Sequence, residues 1–214
     1  MRRGGFASKL YICIIAINIY MVYNVKDKRW NMFNIWHDIS GHRINPDEFI
    51  AYIEIPKGSK NKYELDKETG LLRLDRVLGA SVQYPANYGF IPKTLAEDGD
   101  ALDVLVLCQE TIPATCLVEA RPIGVMIMTD DGKVDEKVIA VATKDMVYSS
   151  YNSLEELPEH LTIEIEHFFN IYKAFETKKT VIKGFEGKEH AMKSIQKALK
   201  RYNEVIGGKG ARTN

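Results

Sequence analysis

A chain of 214 residues has room for one domain with a substantial core, or at most two small ones. Its 29 basic residues are matched by 29 acidic ones, which removes the basic excess that a nucleic-acid-binding protein would show. The hydrophobic share of 45% and charged share of 27% are those of an ordinary soluble globular protein.

The first residues do not match the rest. Leu10 to Tyr23 is apolar apart from Asn18 and follows Arg2, Arg3 and Lys9. Basic residues ahead of an apolar run suggest a signal or anchor. The run is nevertheless shorter than the roughly 20 residues needed to span a bilayer, and no small-residue cleavage site follows it. The simpler expectation is that translation begins at Met32. Residues 1–31 are then an extension produced by start-site choice, and 32–214 form a single domain. Cys13, Cys108 and Cys116 have no metal-ligand spacing and an odd count, which fits a reducing, cytoplasmic setting.

Beyond Met32, strand patterns come first and helical ones last. Phe49 to Ile55 reads as a strand, closed by the turn Pro56-Lys57-Gly58-Ser59. Lys62-Tyr63-Glu64 alternates, so its lysine and glutamate share a face. Glu68-Thr69-Gly70 marks a turn before Leu71 to Leu74, and Tyr84-Pro85-Ala86-Asn87-Tyr88-Gly89 reads as a stiff aromatic turn. Val104 to Leu107, Cys116 to Ala120, Gly124 to Met128 and Val138 to Ala142 are expected as further short strands. Thr129-Asp130-Asp131-Gly132 is expected as a hairpin connection or a longer loop. Pro158 then opens a helix whose Leu161, Ile165, Phe168, Phe169 and Tyr172 share one face. A second helix carries Ala191, Ile195, Leu199 and Tyr202 and ends at Gly207-Gly208. Strands followed by two amphipathic helices point to an α+β, mainly β protein: a small barrel with helices packed outside.

The chemistry concentrates at Asp98-Gly99-Asp100-Ala101-Leu102-Asp103. Three carboxylates this close repel one another unless cations neutralise them. All-oxygen ligands suit a hard divalent ion, Mg²⁺ before others, with Mn²⁺ as the alternative. An EF-hand loop is excluded, because Leu102, Asp103 and Gln109 stand where it needs an oxygen ligand, glycine and glutamate. Glu54 puts a charge inside an apolar strand, and Asp130 and Asp135 flank the hairpin with Lys137 two residues on. Acids for metals thus occur beside Lys62, Arg76, Lys137, Lys173 and tyrosines able to hold a polyanion. His37, His42, His160, His167 and His190 read as surface or helix-packing residues.

In this order the segments resemble the soluble family I inorganic pyrophosphatases, their bacterial members most closely. The family's Asp-x-Asp-x-x-Asp signature is similar to Asp98 through Asp103. Around it stand Ile53-Glu54-Ile55-Pro56, Lys62-Tyr63-Glu64, Asp75-Arg76, Tyr84 to Gly89, Met128-Thr129-Asp130, Asp135-Glu136-Lys137 and His167 through Lys173. The resemblance covers about Ile44 to Tyr202. It departs at Ala101, where the family usually has proline or glutamate; that spacer position bears no ligand.

The resemblance implies a five-stranded barrel like that of oligonucleotide-binding folds, with flanking C-terminal helices. It implies Mg²⁺-dependent hydrolysis of pyrophosphate, with several ions per site, and assembly as a homohexamer. No nucleic-acid or membrane partner is expected. Asp98, Asp103 and Asp135 would hold the tightest metal, Asp103 would reach a second, Asp130 and Asp135 would bind one arriving with substrate, and Glu54 a further one. Asp100 would be the general base. Lys62, Arg76, Tyr88, Lys137, Tyr172 and Lys173 would contact the phosphates, with Glu64 and Tyr84 in support.

Overall fold

The computed structural model describes residues 21–24, 29–176 and 180–207. Most of the apolar leader, Cys13 and Gly208 therefore lie outside the described residues. Met21–Asn24 (β1) and Arg29–Met32 (β2) pair as a small antiparallel ladder. A short helix follows, Ile35–Asp38 (α1), opened by the Asn34 side chain, which accepts from the Trp36 N–H.

The remaining strands are Phe49–Ile55 (β3), Asn61–Leu65 (β4), Leu72–Val77 (β5), Asn87–Ile91 (β6), Leu102–Leu107 (β7), Leu117–Asp130 (β8), Lys133–Ala142 (β9) and Thr180–Gly187 (β10). The helices Glu159–Ile171 (α2) and Lys188–Tyr202 (α3) lie near the C-terminal end. Strands pair in the order β8-β3-β6-β7-β9, and β9 returns to β8, closing a ring of five. The β7–β9 pairing is parallel and the others in the ring are antiparallel. β10 adds to the outer edge of β8. β4 and β5 pair only with each other, forming an arm that is not part of the barrel ladder.

Alternate residues on the barrel wall serve two cores. Val104 and Val106 with Val138 and Ala140 join Ile195, Ala198 and Tyr202 of α3 and Trp36 of α1. Leu105, Leu107, Ile139 and Val141 join Ile165, Phe168 and Phe169 of α2. A wall buried on both faces needs apolar side chains at successive positions, so β7 and β9 read as continuous apolar runs. Gly89 is required where β6 crosses β3, because a Cβ there would stand 1.8 Å from the Tyr52 carbonyl oxygen.

Several expected elements differ in extent. The two strands expected over 116–120 and 124–128 are one 14-residue strand with a bulge between Pro122 and Gly124. Proline lacks a ladder N–H, and Gly124 leaves the space that Leu154 occupies. Sequence pattern mistook this bend for a break. Only the first half of the aromatic turn at 84–89 is a turn, since β6 begins at Asn87. β10 was not anticipated: Gly184, at φ 128°, interrupts its alternation at a bulge. The Asp131-Gly132 hairpin is as expected, with both residues at positive φ (52° and 80°), the type I′ geometry that matches strand twist. The second helix ends its regular turns at Tyr202 and continues as a wider turn to Gly207.

Candidate active site

A cleft of about 860 Å³ is bounded by the β4–β5 arm, the β6–β7 loop, the β8–β9 hairpin and the end of α2. Eleven carboxylates and six cationic side chains line it. Every site residue expected from sequence lines this cleft except Tyr84. Tyr84 is buried behind it, with ring centroids 5.3 Å from Tyr88 and 4.7 Å from Phe168. It supports the wall and does not reach the space.

Lys137 is the centre of the inner wall. Its side chain is only 3% exposed, and Nζ donates to Asp103 Oδ2 at 2.6 Å, Asp135 Oδ1 at 3.0 Å and the Tyr88 hydroxyl at 3.2 Å. The Tyr88 hydroxyl donates in turn to Asp103. The parallel β7–β9 register places Asp103 opposite Lys137, so this pair is fixed by the barrel itself. Burial disfavours the ammonium, but Asp103 and Asp135 outweigh it and hold its pKa well above the usual lysine range. Burial, and then the Asp103 charge, raises the Tyr88 hydroxyl in the same way.

Three acids of this region, Asp135, Asp98 and Glu54, resist ionisation. Burial raises Asp135, with the Lys137 ammonium working against it. Partial loss of water around its carboxyl raises Asp98, an exposed residue, and the charges of Asp103 and Asp100 add to this. Glu54, on β3, is pushed up to about 8 by burial and by Asp103, although Oε1 accepts a 2.8 Å hydrogen bond from Leu65 N–H. A carboxyl raised in this way weakens the fold as pH rises from its ordinary 4.5 toward 8, because only the unfolded chain ionises freely there. Glu54→Gln keeps the acceptor for Leu65. We expect it to raise the melting temperature of the metal-free protein at pH 8–9 and to change nothing near pH 4. A tenfold change in an ionisation constant corresponds to about 1.4 kcal/mol, so the gain reaches a few kcal/mol at most. Equal melting temperatures at pH 9 would contradict a costly Glu54 charge.

The arm supplies the outer cations. Lys62 Nζ contacts Glu64 and stands 3.3 Å from Asp75. Arg76 pairs with Asp75, and its Nη2 lies 2.7 Å from Glu176, just beyond α2. Lys173, at the end of α2, reaches Asp130 Oδ2 at 2.5 Å. Three buried atoms on this surface have no hydrogen-bond partner: Asp130 Oδ1, Arg76 Nε and Arg76 Nη2, the last held only by its ion pair with Glu176. Asp100 is 57% exposed at the mouth, paired with Lys67. Sequence reasoning missed Lys67, Trp36 and Glu176. Each is an ordinary residue in its own segment and becomes a wall of the cleft only through tertiary contact.

A sequence profile of the inorganic pyrophosphatase family matches residues 51–203. The chain belongs to the inorganic pyrophosphatase family. Soluble inorganic pyrophosphatase 2 of Chlamydomonas reinhardtii is 50% identical over 169 residues, 79% of this chain and 88% of that protein. Soluble inorganic pyrophosphatase 1 of Arabidopsis thaliana is 47% identical over 80% of this chain and 81% of its own length. The crystal structure of the Thermus thermophilus inorganic pyrophosphatase is similar at a TM-score of 0.76 and 38% identity, over 80% of this chain and 99% of that one. The barrel expected from the family resemblance is thus present, and the protein is a hydrolase. Algal and plant relatives stand at higher identity than this bacterial structure, whereas the motifs alone had suggested bacterial members.

As they stand, no three acidic, histidine or cysteine side chains among the described residues converge on one point. The Lys137 ammonium occupies the position between Asp103 and Asp135. The donor set nevertheless fits divalent cations. It is all oxygen, Asp130 keeps a buried unpartnered oxygen, and acids outnumber bases around the space. A cleft with that excess would repel a polyanion unless cations entered with it.

Proposed function

We propose that this pyrophosphatase-family chain hydrolyses inorganic pyrophosphate to two orthophosphates in this cleft, with Mg²⁺ as cofactor. The observation that carries the reading is the pairing of unmet valences on one surface: a buried carboxylate oxygen of Asp130 and a buried guanidinium N–H of Arg76. The first calls for a cation and the second for an anionic oxygen, and a metal–diphosphate complex supplies both.

Asp98, Asp103 and Asp135 are assigned to the tightest ion, with Asp103 extending to a second. Asp130 and Asp135 would hold an ion accompanying the substrate, and Glu54 a further one. Bound Mg²⁺ would lower the pKa of a water and neutralise charge on the attacking and leaving oxygens. Asp100 accepts the proton of the attacking water. Lys62, Arg76, Lys137 and Lys173 donate to phosphate oxygens whose charge grows during the reaction, and the Tyr88 and Tyr172 hydroxyls orient them. Glu64 positions Lys62, and Tyr84 backs Tyr88. The domain spans 32–214. The cytoplasmic setting and hexameric assembly follow the family resemblance. No helix among the described residues is long and apolar enough to cross a membrane.

The test is phosphate release from pyrophosphate with and without Mg²⁺, with ATP as a competing phosphoanhydride. Release that depends on Mg²⁺ and prefers pyrophosphate is expected. A folded protein that releases no phosphate from pyrophosphate, or prefers ATP, would overturn the proposal.

A further inference from the structure

Asp100 differs from Glu54, Asp103 and Asp135, the acids of the cleft that lie on β3, β7 and β9. Its carboxylate is more than half exposed and is not seated in the barrel wall. Within its own loop its backbone N–H donates to Asp98 Oδ1 at 2.9 Å, which fixes the main chain and leaves the side chain free to turn. A proton acceptor that swings in solvent spends little time where a reacting water would need it. The side chain that limits this freedom is Lys67, on the turn between β4 and β5.

An exposed lysine–aspartate pair ordinarily holds little, because both chains are mobile. Here the lysine is seated. Its Nζ lies 5.5 Å from the ring centroid of Trp36, over the indole face. Its carbonyl accepts from Asn34 Nδ2 at 3.1 Å. Three residues on, Gly70 packs so closely on the Phe33 carbonyl that a Cβ would stand 2.8 Å from its oxygen. The tip of the arm is thus moored to the segment Phe33–Trp36.

The indole is itself rigid. Trp36 is buried, and its Nε1–H donates at 2.8 Å to the carbonyl of Thr94. Thr94 lies at the root of the loop that carries Asp98 and Asp100, and its hydroxyl accepts from Leu102 N–H at 2.8 Å, at the far end of that loop. One aromatic ring therefore references both partners: Lys67 through its face and the acidic loop through its edge. Asn34 and Trp36 precede the family-matched region, which begins at residue 51.

We propose that Lys67, seated on Trp36, is a positioning residue that holds the Asp100 carboxylate in place for proton acceptance. The inference rests on the pyrophosphatase reading and on Asp100 as the base. It assigns Lys67 no contact with substrate.

The test compares Lys67→Met, Lys67→Arg and Trp36→Phe with the native protein, measuring kcat, KM for pyrophosphate, Mg²⁺ affinity and melting temperature. Lys67→Met is expected to lower kcat about tenfold, with KM and Mg²⁺ affinity changed by less than about threefold. Lys67→Arg is expected to restore most of kcat. Trp36→Phe keeps a face for the ammonium but loses the donor to Thr94, and is expected to lower kcat about twofold to threefold. In an Asp100→Asn background, Lys67→Met is expected to cost nothing further. Unchanged kcat in Lys67→Met would overturn the inference. So would a raised KM at constant kcat, which would make Lys67 a substrate contact, or full additivity with Asp100→Asn. If Trp36→Phe does not fold, the Lys67 variants and the double-variant cycle decide alone. Absence of pyrophosphate hydrolysis in the native protein would instead strike the functional reading, and this inference with it.

Discussion

Asp100→Asn is expected to lower kcat by roughly 10²–10⁴-fold, the usual contribution of a positioned general base, and to leave Mg²⁺ affinity nearly unchanged. Asp103→Ala is expected to do the reverse first, lowering Mg²⁺ affinity by at least about tenfold and turnover as a consequence. The geometry separates the two acids although they are neighbours in one loop. Asp103 is the second residue of β7, accepts from Lys137 and from the Tyr88 hydroxyl, and its charge acts on Glu54 and Asp135. Its removal takes an anionic oxygen from the place where cations would be held. Asp100 lies outward on the loop with Lys67 as its side-chain partner. Asparagine there keeps the size and polarity and removes only the capacity to take a proton. Calorimetric Mg²⁺ titration beside steady-state phosphate release distinguishes them. Equal losses of metal affinity in both variants would contradict the assignment of Asp100 as base, and full turnover in Asp100→Asn would remove it.

The difference between these two acids could not be read from spacing. What the sequence made legible was local: three carboxylates in one loop, a charged glutamate in an apolar strand, and an Asp-Gly turn between two β-branched runs. Local signals also gave the barrel class, since short strand patterns come first along the chain and two amphipathic helices last. What it concealed was tertiary. Lys137 meets Asp103 through a parallel register between strands 34 residues apart, and no window along the chain contains both. Lys67 is one charge in a polar hairpin turn until Trp36, from a distant upstream segment, comes beneath it. The bend in β8 was hidden for a different reason. Pro122 and Gly124 are signals for ending a strand, and only the packing of Leu154 against Gly124 shows that they bend it instead.

The same wall makes Lys137→Met the most informative change for stability. Methionine has similar length and no charge, so packing against Phe169 and Tyr88, whose ring centroids lie 5.4 and 5.6 Å from Nζ, is largely kept. What disappears is the cation shared by Asp103 and Asp135. Breaking a buried ion pair from one side costs about 3–5 kcal/mol, because the remaining charge stays in a poor dielectric. Burial already raises Asp135, and without the ammonium it has no compensating neighbour of that strength. The metal-free variant is therefore expected to unfold at a markedly lower temperature than the native protein. Added Mg²⁺ should then recover more of the loss than it adds to the native protein, since a divalent ion between Asp103 and Asp135 replaces the missing charge. On the proposed role of Lys137, turnover should stay low even at saturating Mg²⁺, because an ion at the acids does not replace a donor to the phosphate oxygens. Thermal unfolding with and without Mg²⁺, read beside kcat, separates these effects. An unchanged melting temperature in the metal-free variant would mean that Lys137 is not neutralising the wall, and recovery of kcat by Mg²⁺ alone would mean that it is not a phosphate donor.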